Sequence, residues 1–207
     1  MPNTTLFTLV RHGETDWNRA GMIQGSTDIP LNELGREQAR HAAGVLGFHD
    51  CTNIVSSTMD RAKETAAIIA GELSLTLGAA LEGLCEQRFG EAEGSDWASF
   101  AERFPDGPAG QETVLEVRSR ALDSLRTIAD AQAETDPGLD IAPANVVVVT
   151  HGGVIKALTG HPDLAGHDFG GPAANGSITR LALHDGRLCG GHQLSGASPC
   201  EAMAATA

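Results

Sequence analysis

Leu6-Phe7-Thr8-Leu9-Val10-Arg11-His12-Gly13 is a short apolar run that ends abruptly in a guanidinium, an imidazole and a glycine. Such a run reads as a strand buried on both faces of a sheet, delivering polar groups at its C-terminal end. Open α/β sheets put their ligands outside that end of their strands. A second stretch repeats the pattern. Asn145-Val146-Val147-Val148-Val149-Thr150 is rich in β-branched residues, as a doubly covered strand requires, and runs into His151-Gly152-Gly153. Two strands ending in histidine-glycine put two imidazoles at one sheet edge, able to face each other across one crevice.

The segments between them read as helices and loops. Asn32 is an N-cap candidate ahead of Leu34, Ala39, Ala42, Ala43 and Leu46, which recur at helical spacing. Ile54-Val55 is a second short strand. Ser57, with Asp60 three residues on, resembles a capping arrangement for a helix over 61–73, with Arg61 in its first turn. Residues 14–31 read as loop, and 83–94 is too broken for a regular element. A long amphipathic helix is expected over 113–133, with Val114, Val117, Ala121, Leu125 and Ile128 on its apolar side. The Pro/Gly-rich stretch 104–110 reads as a loop. Segments 177–183 and 188–189 suggest an edge hairpin turning at Asp185-Gly186. From 195 to 207 the chain is small and polar, and a frayed tail is expected. Together these predict an α/β three-layer sandwich: a mostly parallel central sheet with helices on both faces.

Composition narrows the function classes. The 207 residues are 41% hydrophobic and 20% charged, which suits one globular domain spanning 1–207. Aspartate and glutamate outnumber lysine and arginine 27 to 14, and the net charge of -13 repels nucleic acid and anionic lipid. Neither is expected as a partner. The N-terminus has no signal-peptide pattern, and no apolar run approaches the ~20 residues of a membrane span, so a soluble, cytoplasmic protein is expected. Cys51, Cys85, Cys189 and Cys200 are widely spaced with no C-x-x-C pair, which points to free thiols rather than zinc ligands or a disulfide framework. No G-x-G-x-x-G follows a strand and no P-loop is present, which argues against a nucleotide-binding oxidoreductase.

The residues at the sheet edge point to phosphate chemistry. Neutral imidazole is a competent nucleophile near neutral pH, and its protonated form stabilises anionic oxygens. Arg11 beside His12, and Arg61 at the start of a helix after another strand, place two forked guanidiniums where helix amides also favour an anion.

Leu9-Val10-Arg11-His12-Gly13-Glu14-Thr15-Asp16-Trp17-Asn18 resembles the signature of the histidine phosphatase superfamily, also called phosphoglycerate mutase-like. The similarity continues through Ile23-Gln24-Gly25-Ser26-Thr27-Asp28-Ile29-Pro30-Leu31 and through Ser56-Ser57-Thr58-Met59-Asp60-Arg61-Ala62 with Thr65. It resumes at Leu84-Cys85-Glu86, at Phe89-Gly90 with Glu93-Gly94, and at Val149-Thr150-His151-Gly152-Gly153. The resemblance implies that His12 is the nucleophile that becomes a phosphohistidine. It implies that Arg11, Arg61 and His151 hold the transferring phosphoryl group, with Asn18 as a supplementary contact and Gly152 beside it. Glu86 matches the proton donor to the leaving oxygen. Gln24, Gly25 and Ser26 are candidates for substrate contacts, and Asn175-Gly176-Ser177 resembles a motif bordering the pocket; plain turns remain open for both. No metal or cofactor is expected, because guanidinium and imidazolium would balance the charge on the equatorial oxygens.

The resemblance leaves the reaction open among three readings: hydrolysis of small phosphomonoesters, a phosphoglycerate mutase, and a silent phospholigand-binding module. Only 64 residues separate Glu86 from His151, and they contain Arg88, Arg103, Arg118, Arg120 and Arg126 but no lysine and no adjacent arginine pair. A mutase needs cations for a second anionic group, so hydrolysis is favoured, with inorganic phosphate as product. Residues 84–112 are expected to form a small cap, and the short 104–110 connection suggests broad specificity. Thr58, Lys156 and Gln111-Glu112-Thr113 depart from the family pattern without touching the proposed set. A homodimer is left open.

Overall fold

A strand with four consecutive valines needs cover on both sides, and residues 145–150, buried at every position, receive it. A computed structural model describes residues 4–135 and 144–194. In chain order the elements are β1 (Thr4–Arg11), α1 (Asp16–Arg19), α2 (Glu33–Leu46), β2 (Asn53–Ser57), α3 (Asp60–Leu73) and β3 (Leu77–Leu81). They continue as α4 (Phe100–Arg103), α5 (Val114–Thr135), β4 (Asn145–Thr150), α6 (Gly152–Thr159), β5 (Ile178–His184) and β6 (Arg187–Leu194). The strands form one sheet in the order β3-β2-β4-β1-β5-β6. The first four are mutually parallel, whereas β5 runs antiparallel to β1 and to β6.

Strand β4 splits its valines between two cores. Val146 and Val148 join Phe7 and Leu9 against α5 and α6, through Val117, Leu125, Val154 and Leu158. Val147 and Val149 join Val10 against α2 and α3, through Ala42, Leu46, Ala66 and Ile69. Burying such a side chain is worth about 1.5–3 kcal/mol, more than the ~1 kcal/mol net of one ladder hydrogen bond. Side-chain burial therefore decides which residue faces which core. Helices cover both faces, which gives the expected three-layer α/β sandwich.

Several local expectations hold, and others are corrected. Asn32 caps α2, its side chain accepting the Gly35 amide. Asp185 and Gly186 both take positive φ in the β5–β6 hairpin, the backbone of a primed two-residue turn. Ser57 does not cap α3: the N-cap is Met59 with no side-chain cap bond. Instead the Asp28 carboxylate, from a distant loop, accepts the Asp60 amide at 2.8 Å. Strand β3 is an addition. Its residues are mostly exposed, so no apolar alternation marks it. The short α1 interrupts the 14–31 loop, and within 83–94 the only regularity is single 3-10 turns at Glu82–Leu84 and Gly90–Ala92. Val114 faces solvent rather than the core of α5. The expected tail at 195–207, with Cys200, lies outside the described residues; Cys51, Cys85 and Cys189 are free thiols.

One close approach sets the exit of β1. A Cβ on Gly13 would collide with the Gly35 backbone, and one on Gly35 with the Glu14 backbone. The strand exit and the first turn of α2 touch main chain to main chain, so both positions require glycine.

Candidate active site

The parallel register of β1 and β4 places Arg11 opposite Thr150, so residues 12 and 151 leave the sheet side by side. The His12 amide donates to the Thr150 carbonyl at 3.0 Å. The two imidazole centroids lie 5.0 Å apart, with the rings tilted by 56°. On the other side of β4, Ser56 of β2 pairs with Val149, and the next residue, Ser57, reaches His151 Nε2 with its hydroxyl at 2.7 Å. Three neighbouring strands thus converge on one point.

Hydrogen bonds fix the two rings differently. His12 Nδ1 lies 2.7 Å from the Gly13 carbonyl, which can only accept. The proton is therefore on Nδ1, and Nε2 keeps its lone pair. The Ser57 hydroxyl also accepts the Met59 amide at 3.4 Å, and with its second lone pair and its own proton it can serve His151 Nε2 in either tautomer. His151 Nδ1 is a buried atom without a hydrogen-bond partner among the described residues. Burial first, then the charges of Arg11 and Arg61, hold His12 well below its usual 6.5, against a smaller upward pull from the Gly13 carbonyl. Burial first, then Arg61, His12, Arg11 and Arg120, do the same to His151. Both rings are neutral at pH 7.

The two guanidiniums are anchored at one end only. Arg11 donates from Nη1 to the Ala173 carbonyl at 2.7 Å and lies against Gly152, where a Cβ would press on the guanidinium at 3.4 Å. Arg61, fully buried in the first turn of α3, donates to the carbonyls of Gly25 and Thr27 and approaches Asp28 at 3.4 Å. The Nε atoms of both arginines are buried and unpartnered among the described residues. Together with His151 Nδ1, a donor once that ring is protonated, they are three buried nitrogens beside a bare imidazole nitrogen, a set that suits the oxygens of a tetrahedral anion.

Glu86 enters from the irregular segment. Its carboxylate accepts the Gln87 amide at 2.8 Å and the Gly153 amide, in the first turn of α6, at 3.0 Å. It lies near enough to Arg11 and Arg61 to raise both their pKa values against the lowering by burial. Two ties hold its loop. The Thr150 hydroxyl donates to the Leu84 carbonyl at 2.7 Å. Arg120 of α5 donates to the carbonyls of Gly83, Cys85 and Glu86, and is itself gripped by the buried Glu112.

The remaining candidates sit in a second ring. The Asn18 carboxamide oxygen caps α1 through Thr15 and accepts from Asn175, leaving its NH2 for other partners. Asn175 also donates to the His12 carbonyl at 3.0 Å. Gly25, at φ 55°, supplies a carbonyl to Arg61 and has no room for a Cβ against Glu93. Ser26 lines the adjoining cavity, but its amide and hydroxyl are directed to Glu93. Glu93 also takes Thr27 and the Phe89 amide. Burial pushes its pKa up, and these hydrogen bonds together bring it below the usual value. Gln24 is buried, with its carboxamide oxygen unpartnered among the described residues.

Sequence reasoning missed Ser57 in this role, and it missed Thr65, whose hydroxyl receives the Gly13 amide. It also missed the Glu112–Arg120 pair, in which an acid from the segment before α5 folds back onto the helix, a contact that no helical spacing signals. Among the described residues no group of three or more His, Cys, Asp or Glu side chains is placed to hold a metal ion, and no helix is long and apolar enough to cross a membrane.

Comparison with known proteins agrees with this geometry. The chain is 36% identical over 155 residues to the uncharacterized phosphatase PhoE of Bacillus subtilis (strain 168), covering 74% of this chain and 75% of that one. It is 32% identical over 195 residues to a metal-independent phosphoserine phosphatase of Arabidopsis thaliana, covering 87% and 77%. The native structure of a mycobacterial glucosyl-3-phosphoglycerate phosphatase superposes with a TM-score of 0.77 at 29% identity, over 92% of this chain and 97% of that one. The family model for the histidine phosphatase superfamily (branch 1) matches residues 7–189. With both histidine-glycine strand ends and the intervening arginine inside that match, the chain belongs to the histidine phosphatase superfamily.

Proposed function

We propose that the protein is a metal-independent phosphatase that hydrolyses small phosphomonoesters through a phosphohistidine at His12. One observation carries this reading: His12 Nε2 has its lone pair free, while the buried Nε donors of Arg11 and Arg61 and the Nδ1 of His151 are without partners among the described residues. In the first step the Nε2 lone pair forms a bond to phosphorus as the ester P–O bond breaks, and Glu86 gives its proton to the departing alkoxide. In the second, water forms the new P–O bond as the N–P bond breaks, and its proton returns to Glu86. The sum is ester plus water giving alcohol plus inorganic phosphate. Because phosphoryl transfer is loose, most of the work is charge balance and alignment, and arginine supplies both.

His12 is only 2% exposed, so the phosphoryl group must be engulfed rather than laid on a surface. Binding a dianion among neutral rings favours protonation of His151, and Ser57 can then accept from the Nε2–H. The test is a turnover assay with an aryl phosphate, followed by quenching at high pH and mass spectrometry of the His12 peptide. Wild type is expected to carry an acid-labile, base-stable phosphate, and His12→Ala to lose both the adduct and turnover. Equal turnover by His12→Ala overturns the proposal. Transfer of phosphate to a second alcohol in place of release would favour the mutase reading.

A further inference from the structure

Beyond Glu86 a cavity of about 440 Å³ opens, with Asp28, Thr58, Glu82, Cys85 and Arg88 among the residues of its wall. If phosphorus meets His12 and Glu86 faces the ester oxygen, the alcohol portion of the substrate occupies this space, so the inference here rests on the proposed hydrolysis. The charges of the wall are unequal in their freedom. Arg120 also borders the cavity, but its guanidinium is spent on Glu112 and on three main-chain carbonyls. Arg88 has its side chain 61% exposed, which screens its charge with water, and Nη2 lies 3.8 Å from Glu112. Asp28 is shared between Arg61 and the Asp60 amide. Glu82 receives the Thr58 hydroxyl at 2.8 Å and has no ion-pair partner among the described residues. The wall therefore offers acceptors and the carboxylates of Asp28 and Glu82, while Arg120 is engaged by Glu112 and Arg88 is solvent-screened and shared with the same acid.

We propose that this cavity selects phosphomonoesters whose alcohol carries an ammonium group or hydroxyls only, and discriminates against carboxylated alcohols and bisphosphates, with Glu82 as a specificity-determining residue. The phosphoryl end supplies the tight anion site common to every substrate. The leaving-group end then ranks substrates by charge, because like charges brought together in a partly desolvated cleft are costly. Hydroxyl groups are served by the carboxylates and by Thr58 as acceptors. A carboxylate in the same position meets Glu82 and Asp28.

The experiment compares kcat/KM for three near-isosteric esters, ethanolamine phosphate, propyl phosphate and phosphoglycolate, with an aryl phosphate as reference. The expected order is ammonium first, neutral second and carboxylate last, with about tenfold or more between the extremes, shrinking as salt is raised. Glu82→Lys should compress or invert that ratio, and Glu82→Gln should do so partially, with melting temperatures confirming that both variants fold. A wild-type preference for phosphoglycolate overturns the inference while leaving hydrolysis standing, as does a ratio unmoved by Glu82→Lys. Failure on all four esters, the aryl phosphate included, overturns the parent reading and this inference with it.

Discussion

The Ser57 hydroxyl and the His151 ring share a fully buried hydrogen bond of 2.7 Å across the tips of adjacent strands. The bond orients the ring and gives Nε2 a partner that can donate or accept as the ring changes charge. Ser57→Ala should therefore cost up to about tenfold in kcat/KM, the equivalent of one net hydrogen bond of ~1 kcal/mol, whereas Ser57→Thr should retain most of it. Nitrogen NMR of His151 checks the cause. In the alanine variant the balance between the two ring tautomers should shift; an unchanged spectrum would show that Ser57 acts only as filler.

Two depressed imidazoles make the fold sensitive to acid. Burial foremost, then the neighbouring arginines, lower both His12 and His151 below 6.5 in the native state. An unfolded chain binds those two protons at about pH 6.5, so between that point and the native pKa values it holds more protons than the folded one. Stability should be level in this respect above pH 6.5 and fall as pH drops beneath it. Urea titrations from pH 8 to 5 measure the slope, and His12→Asn should flatten it. The same depression predicts that the His12 ring stays neutral by NMR well below pH 6.5 in ligand-free protein.

Arg120 holds the loop that carries Glu86 through three carbonyls, while Glu112, 2% exposed at its side chain, depends on Arg120 for its counter-charge. Breaking a buried pair on one side costs about 3–5 kcal/mol. Arg120→Ala should lose stability on that order in denaturant melts. Arg120→Lys, which keeps the charge but not the fork, should fold better yet slow esters of poor leaving groups more than aryl phosphates. Equal slowing across leaving groups would detach Arg120 from the acid.

Positive charge for the equatorial oxygens comes from Arg11, Arg61 and His151 in the proposed reaction, so turnover should survive exhaustive treatment with EDTA. Loss of activity on chelation, with recovery on adding a divalent ion, would contradict it.

Much of this was legible in the chain. The two apolar runs ending in histidine-glycine announced parallel strands, and the unbroken run of valines over 146–149 required helices on both faces. Arg61 was legible as a first-turn residue because a short strand precedes it. Ser57 was misread because a serine three residues before an acid has the local look of a helix cap; only the placement of β2 beside β4 reveals that its hydroxyl belongs to His151. The cap of α3 comes instead from Asp28, more than thirty positions upstream, and no local pattern encodes that contact. Strand β3 escaped notice since Leu77-Gly78-Ala79-Ala80-Leu81 lies at the sheet edge with most side chains in solvent, so its pairing with β2 rather than its composition makes it a strand. The anchoring of Glu86 was equally hidden. The ties of its segment to Gly153, Thr150 and Arg120 cross from an irregular stretch to three distant elements.

The side chains proposed to handle phosphorus come from the tips of three neighbouring sheet strands and the turns that follow them, whereas the wall proposed to choose the alcohol comes largely from the irregular stretch after β3. Substitution of wall residues such as Glu82 in that stretch can retune which alcohol is accepted, so long as Glu86, carried by the same stretch, is kept. A scaffold arranged this way is suited to diversification by point changes around one fixed acid.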